Sequence, residues 1–110
     1  MLFLVHKYKD PQGQFPVEQS GTYSVAVNLT KSYDYGVYQI LLDGREIRRV
    51  DLYSPTLGVT LARSEFGPME SGTHTLTFRC EGKNPVSASY FLGVDSIEIR
   101  PELTRPQREG

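Results

Sequence analysis

The residues best suited to contacting a ligand are tyrosines and polar side chains in three loop-like segments. The sequence contains seven tyrosines and no tryptophan. Flat aromatic rings can stack on sugar faces, and carboxylate, amide and amine groups can bond to hydroxyls. Loops between strands are where binding residues tend to lie. The sequence therefore predicts a ligand-binding site composed of Tyr33, Asp34, Tyr35, Tyr53, Lys83, Asn84 and Tyr90.

The same tyrosines have a structural alternative. Tyrosines at strand ends often pack a ring under a loop and donate the hydroxyl to the backbone. This alternative predicts that Tyr35 and Tyr53 are buried and hydrogen-bonded. The lack of tryptophan weighs against the sugar hypothesis, because the largest stacking surface is missing.

Asp95 is the candidate metal ligand. It alternates with Ile97 and Ile99 in an apolar strand, so its carboxylate is expected to point inward. A buried carboxylate needs a partner, which Lys83, Asn84 or a metal ion could supply. A backbone amide is a further alternative, and a structural calcium ion is the one candidate cofactor, since Ca²⁺ takes carboxylate and carbonyl oxygens.

Residues for catalysis are few. The two histidines, His6 and His74, are far apart, and the single cysteine, Cys80, shares an apolar strand face with Leu76 and Phe78. Zinc, nucleophile-elbow and phosphate-loop motifs are absent. His74 is best interpreted as a half-buried structural histidine, and Cys80 as a small buried hydrophobe. A glycosidase could use two carboxylates across a cleft, but spacing pairs none of them, so no catalytic residue is assigned.

Charge and composition limit the class of partner. The chain has 110 residues, which indicates one globular domain. Its formal net charge of −1 provides no long-range electrostatic attraction to nucleic acid or to an anionic membrane. Arg45, Arg48 and Arg49 form a local cluster, either a solvated strand face or a phosphate or carboxylate contact. The single cysteine allows no intramolecular disulfide. Residues 1–5 are too short an apolar run for a signal peptide or membrane span and favour a first strand.

Two-residue alternation of apolar and polar positions dominates the chain and predicts strands. Turns recur every eight to twelve residues, and Asp43-Gly44 lies between two strand-like runs, which predicts a β-hairpin. About eight strands at this spacing predict an all-β, two-sheet antiparallel jelly-roll sandwich. We expect a single domain over residues 1–101 and a polar tail over residues 102–110. The expected strands cover residues 22–30, 36–42, 45–50, 57–62, 73–80 and 94–100.

An ordered set of short segments, spread over about residues 15–101, resembles a known module. The segments are Gly21-Thr22-Tyr23, Asn28-Leu29-Thr30-Lys31, Asp34-Tyr35-Gly36, Leu42-Asp43-Gly44, Asp51-Leu52-Tyr53-Ser54-Pro55, Gly72-Thr73-His74-Thr75-Leu76-Thr77, Gly82-Lys83-Asn84-Pro85 and Tyr90-Phe91-Leu92-Gly93-Val94-Asp95. Together they resemble the accessory β-sandwich domain found beside bacterial fructosidase- and arabinofuranosidase-like glycoside hydrolases, similar in layout to galactose-binding-like carbohydrate-binding modules.

The resemblance implies a non-catalytic carbohydrate-binding or carbohydrate-associated module in an extracytoplasmic glycan-processing protein, with a glycan and a parent hydrolase domain as partners. A structural or assembly sandwich without a ligand is the first alternative. A small carboxylate- or metal-dependent carbohydrate-active enzyme is the second. Modules of this kind have more chain before the Gly-Thr-Tyr strand, so a missing first strand is expected to leave a sheet edge open and to favour a homo-oligomer.

Overall fold

The protein folds into nine β-strands and, within the residues described, no helix. A computed structural model describes residues 3–5, for the backbone alone, and residues 12–102. No described segment is a helix long and apolar enough to cross a bilayer. The strands are β1 (Phe3–Val5), β2 (Gln12–Val17), β3 (Gly21–Lys31), β4 (Val37–Leu42), β5 (Arg45–Asp51), β6 (Gly58–Arg63), β7 (Gly67–Met69), β8 (Gly72–Gly82) and β9 (Leu92–Pro101).

The strands form two antiparallel sheets with jelly-roll topology. The first sheet has the order β1-β9-β3-β6, and β7 pairs with the start of β3 on the side away from β9. The second sheet has the order β2-β8-β4-β5. If β7 is set aside, consecutive strands alternate between the sheets except at the β4–β5 hairpin, as in a double Greek key. The predicted jelly-roll sandwich is confirmed.

The core lies between the inner faces of the two sheets. Alternate residues of each central strand point into it, because side chains in a strand alternate between faces. Burying each large apolar side chain stabilises the fold by about 1.5–3 kcal/mol. The fully buried members include Val25, Val27, Leu29, Tyr38, Ile40, Leu76, Phe78, Leu92 and Val94.

The face of β3 that points away from the core is more buried than its sequence indicates. Alternation places Ser24 and Ala26 on the side away from the core, opposite to Val25, yet both are fully buried. Ala26 pairs with Arg63 on one side and Glu98 on the other. A small side chain between two long ones is covered by their stems, so Ala26 is shielded from water although it lies on the outer face.

The predicted hairpin is present. Leu42 pairs with Arg45 across a two-residue turn, in which Asp43 has φ 51° and Gly44 has φ 85°. Two successive positive φ values match a type I′ turn, whose twist suits antiparallel strands. The turn places Asp43 at the end of the sandwich opposite to loop 32–36.

The prediction that Asp95 points inward is wrong, because a β-bulge interrupts β9. Asn28 pairs with Ser96 and Leu29 pairs with Val94, so Asp95 is the extra residue between them. A bulge shifts the alternation by one position. Val94 is consequently buried and Asp95 is exposed, although Ile97 still packs on the core.

The amino-terminal region is also more complete than expected. Two strands precede the Gly-Thr-Tyr strand, with β1 paired to β9 and β2 paired to β8. β1 confirms the first strand predicted within residues 1–5, so no first strand is missing. Residues 67–69, which lie outside the strands expected from the sequence, form the short strand β7. His6 and residues 103–110, the greater part of the predicted tail, lie outside the described residues.

Candidate functional site

Three loops meet at one end of the sandwich, which we call the loop end: residues 32–36, residues 51–55, which begin with the last residue of β5, and residues 83–91. The first two are joined by a bridge between Ser32 and Tyr53. The Ser32 amide donates to the Leu52 carbonyl at 3.1 Å, and the Ser54 amide donates to the Ser32 carbonyl at 3.0 Å. A second bridge, between Tyr35 and Phe91, joins the first loop to the third. Each of the seven predicted site residues belongs to one of these loops.

Ser87 is a central residue of the loop end that sequence reasoning missed. Its side chain is buried, and Oγ lies 2.7 Å from the Tyr35 carbonyl and 3.2 Å from the Tyr33 carbonyl. A hydroxyl has one hydrogen, so it donates to one of these oxygens at a time. The Lys83 amine donates to the Ser87 carbonyl at 2.9 Å. Ser87 thus fixes the third loop against the first, and Lys83 holds the third loop together internally.

Asp51 is a second residue that the sequence did not single out. Its Oδ1 accepts from the Tyr53 amide at 3.0 Å, and its Oδ2 accepts from the Asn84 side-chain amide at 3.1 Å. Asn84 Oδ1 accepts in turn from the Val86 amide at 3.1 Å. The polar groups of Asp51 and Asn84 are therefore used to join the second and third loops.

The four predicted tyrosines differ in exposure. Tyr33 is 58% exposed, whereas Tyr35, Tyr53 and Tyr90 are half-buried. The Tyr35 hydroxyl lies 3.1 Å from Thr30 Oγ1, which accords with the structural alternative for Tyr35. Tyr33 thus presents the most accessible aromatic surface of the four.

The Tyr33 backbone is held firmly despite the exposure of its ring. Its carbonyl accepts from the Ala88 amide at 2.9 Å as well as facing Ser87 Oγ. The neighbouring Asp34 is half-buried, and its carbonyl accepts from the Phe91 amide at 3.0 Å. A ring on a fixed backbone loses little conformational freedom when it contacts a ligand.

The calcium prediction assumed that the Asp95 carboxylate is buried, and this assumption is wrong. The carboxylate is exposed rather than buried, so burial does not demand a metal partner there. Over residues 12–102, moreover, no three His, Cys, Asp or Glu side chains are grouped closely enough to hold a metal ion.

The opposite end of the sandwich carries a polar cluster around His74. Its Nδ1 lies 2.6 Å from Asp43 Oδ2, its Nε2 lies 2.7 Å from the Glu70 carbonyl, and its ring stacks on Phe15. The predicted structural role of His74 agrees with these contacts. The Asp43 hydrogen bond, followed by the Glu70 carbonyl, raises the pKa of His74. Burial alone would raise the pKa of Asp43, but the hydrogen bonds from His74 and the Thr75 amide hold that pKa below its usual value.

Comparison with known proteins identifies a similar fold. No protein-family model matches the sequence, and no curated protein sequence matches it. A xanthan lyase from Paenibacillus is similar in structure, with a TM-score of 0.72 and 19% sequence identity over 93% of this chain. The similar segment makes up 12% of the lyase chain. At this level of identity the similarity shows a shared fold.

Proposed function

We propose that this chain is a non-catalytic, carbohydrate-associated module of a glycan-processing protein. The observation that carries the proposal is the similarity in fold to a segment of a xanthan lyase, an enzyme named for a polysaccharide. The segment is only 12% of that enzyme, which suits an accessory domain better than a whole catalytic unit. On this proposal a neighbouring catalytic domain, such as a glycoside hydrolase, belongs to the same protein, which acts outside the cytoplasm.

The candidate glycan-binding surface is the loop end, and Tyr33 is its principal contact. The ring is exposed, while the backbone on both sides is held by Ser87, Ala88 and Phe91. The ring would stabilise the complex through the apolar area that it buries against a sugar face, at roughly 25 cal/mol per Å². A single exposed ring supports weak binding. A polysaccharide suits such a site because it presents many identical sugar units to it.

The test is a pull-down of the purified chain with a panel of insoluble polysaccharides, repeated with calcium and with a chelator. We expect retention on at least one polysaccharide, independent of calcium. Tyr33→Ala should abolish retention, whereas Tyr33→Phe should preserve it because the ring remains. Retention unchanged in Tyr33→Ala would remove the loop end as the site, and no retention on any glycan would refute the proposal.

An assembly module without a ligand is the second candidate. Two observations favour it. The side chains of Lys83 and Asn84 are already engaged within the loop end. The outer edge strand β6 also exposes Val59 and Leu61, at 77% and 47%, and an exposed apolar edge favours strand pairing between copies.

Two measurements distinguish the candidates. Sedimentation velocity should give a homodimer for the assembly module, and Val59→Lys should convert it to a monomer. Tyr53→Ala addresses the loop end. Loss of folding in this variant would favour an assembly role, whereas retained folding with lost glycan retention would favour the binding module.

A further inference from the structure

Two arginines of β5 point toward the inner side of their sheet. Arg48 pairs with Ile40, and Arg45 pairs with Leu42. Directly paired residues of an antiparallel ladder share a face, and Ile40 and Leu42 both belong to the core. Because β5 is an edge strand, the two arginine side chains extend past the core into the gap between the sheets and remain exposed.

This gap contains a groove between β5 and β6. It has a volume of about 420 Å³ and is lined by Arg45, Ile47, Arg48, Arg63, Ser64 and Glu65. Ile47 packs partly against the core and supplies an apolar surface. The opposite wall is fixed, because the Ser64 amide donates to the Val25 carbonyl at 2.9 Å and the Val25 amide donates to Ser64 Oγ at 2.8 Å.

The groove has an excess of positive charge. Three arginines and one acid, Glu65, line it, and Arg63 reaches its rim from the outer face of β6, where it pairs with Ala26. Over residues 12–102, no carboxylate lies within salt-bridge distance of Arg48 or Arg63, whereas Arg49, on the outer face of β5, lies 3.5 Å from Glu81. Arg45 acts partly on Asp43, whose pKa its charge helps to lower. Arg48 and Arg63 are therefore the groups with bonding capacity left for an external anion.

We propose that the groove between β5 and β6 binds the carboxylate of an acidic glycan through Arg48 and Arg63, with Arg45 at its margin. This inference rests on the proposed function and adds a class of ligand to it. A guanidinium presents a planar fork of donors that matches a carboxylate. The apolar surface of Ile47 offers a contact for the C–H face of the sugar ring that carries it.

The experiment measures binding of the purified full chain to polygalacturonate, dextran sulfate and neutral dextran by affinity electrophoresis. We expect retardation by polygalacturonate, weakened roughly tenfold by each of Arg48→Ala and Arg63→Ala. Glu65→Gln should strengthen it, since an internal anion is removed. Raising the salt from about 0.05 to about 0.5 M should weaken it, because the arginines are exposed.

Arg100→Ala is the matched control. It removes the same charge from another exposed strand position, where Arg100 already bonds to Glu98, so binding should stay within about twofold of the original. An equal loss in Arg100→Ala, equal retardation by dextran sulfate, or binding unaffected by Arg48→Ala and Arg63→Ala would each overturn the inference. Binding to neutral glycans alone, dependent on Tyr33, would overturn it while leaving the proposed function intact; no binding to any glycan would refute both.

Discussion

The His74 cluster leads to a prediction about pH and stability. Both ring nitrogens face oxygen acceptors, the Asp43 carboxylate and the Glu70 carbonyl. Both hydrogen bonds can form together only when the imidazole is protonated on both nitrogens. The cluster joins the β4–β5 turn to the β7–β8 turn, so the charge state of His74 is linked to how firmly these turns are held.

The expected contribution is modest, and its size follows from exposure. A charge-assisted hydrogen bond contributes about 1.5–3 kcal/mol, and an exposed ion pair about 0–1 kcal/mol. The His74 side chain is 13% exposed and the Asp43 side chain is 47% exposed, so this pair lies between the two cases. We expect Asp43→Asn to lower the free energy of unfolding by about 1 kcal/mol near pH 5.5. Asn tolerates the positive φ of the turn and can still accept from the Thr75 amide.

The sign of the pH dependence follows from the two pKa shifts. The pKa of His74 is raised above 6.5 in the fold, so its contribution is complete below pH 6.5 and is lost as the pH rises through the folded value. The pKa of Asp43 is lowered below 3.8, so its contribution is complete above pH 3.8 and is lost as the pH falls through the folded value. The pair is at full strength between these two limits.

Urea unfolding from pH 3 to pH 9 would measure the free energy of unfolding as a function of pH. Glu65→Gln serves as a control that removes an exposed carboxylate elsewhere. The difference between the original chain and Asp43→Asn should be largest between pH 4 and 6.5 and should become smaller at alkaline pH, where His74 loses its charge. NMR titration should place the pKa of His74 above 6.5 and show it falling in Asp43→Asn. A constant difference at all pH values, or a His74 pKa at or below 6.5, would refute the reasoning.

Two further predictions concern the loop end. Gly93→Ala should destabilise the fold by about 1–3 kcal/mol in urea unfolding. The reason is that an added Cβ would overlap Thr30 Oγ1 and lie 2.8 Å from the Tyr35 hydroxyl. An unchanged urea midpoint would show that these two side chains move aside freely. Tyr38→Phe should cost about 1 kcal/mol, since the hydroxyl donates to the Tyr90 carbonyl at 2.6 Å. No loss of stability in Tyr38→Phe would mean that this bond contributes nothing net.

Local sequence patterns predicted the sheet architecture, but they did not predict its irregularities. Asp43-Gly44 predicted the hairpin because a turn depends on adjacent residues. The bulge at Asp95 depends on how β9 pairs with β3, which lies far away in sequence, so the alternation alone placed that carboxylate on the wrong face. The inward orientation of Arg45 and Arg48 was hidden for the same reason, because it follows from their pairing with β4.

The candidate site was predictable as a set of loops but not as a set of bonds. Residue type and position between strands selected the tyrosines and the polar side chains of the third loop. Ser87 and Asp51, which join the loops, carry no signal for these bonds between loops, since serine and aspartate are common in every loop. Their roles arise from carbonyl and amide groups of other loops, such as the Tyr35 carbonyl and the Asn84 side chain.

The jelly-roll order of strands also has a consequence for how the chain folds. β1 pairs with β9, and β2 pairs with β8, so strands near the beginning of the sequence pair with strands near its end. Such non-local pairing slows folding to the range of milliseconds to seconds. The β4–β5 hairpin is the one pair joined by a two-residue turn in the described part of the chain, and it can form within about 1–10 μs. We therefore expect this hairpin to form early, and β1 to join last.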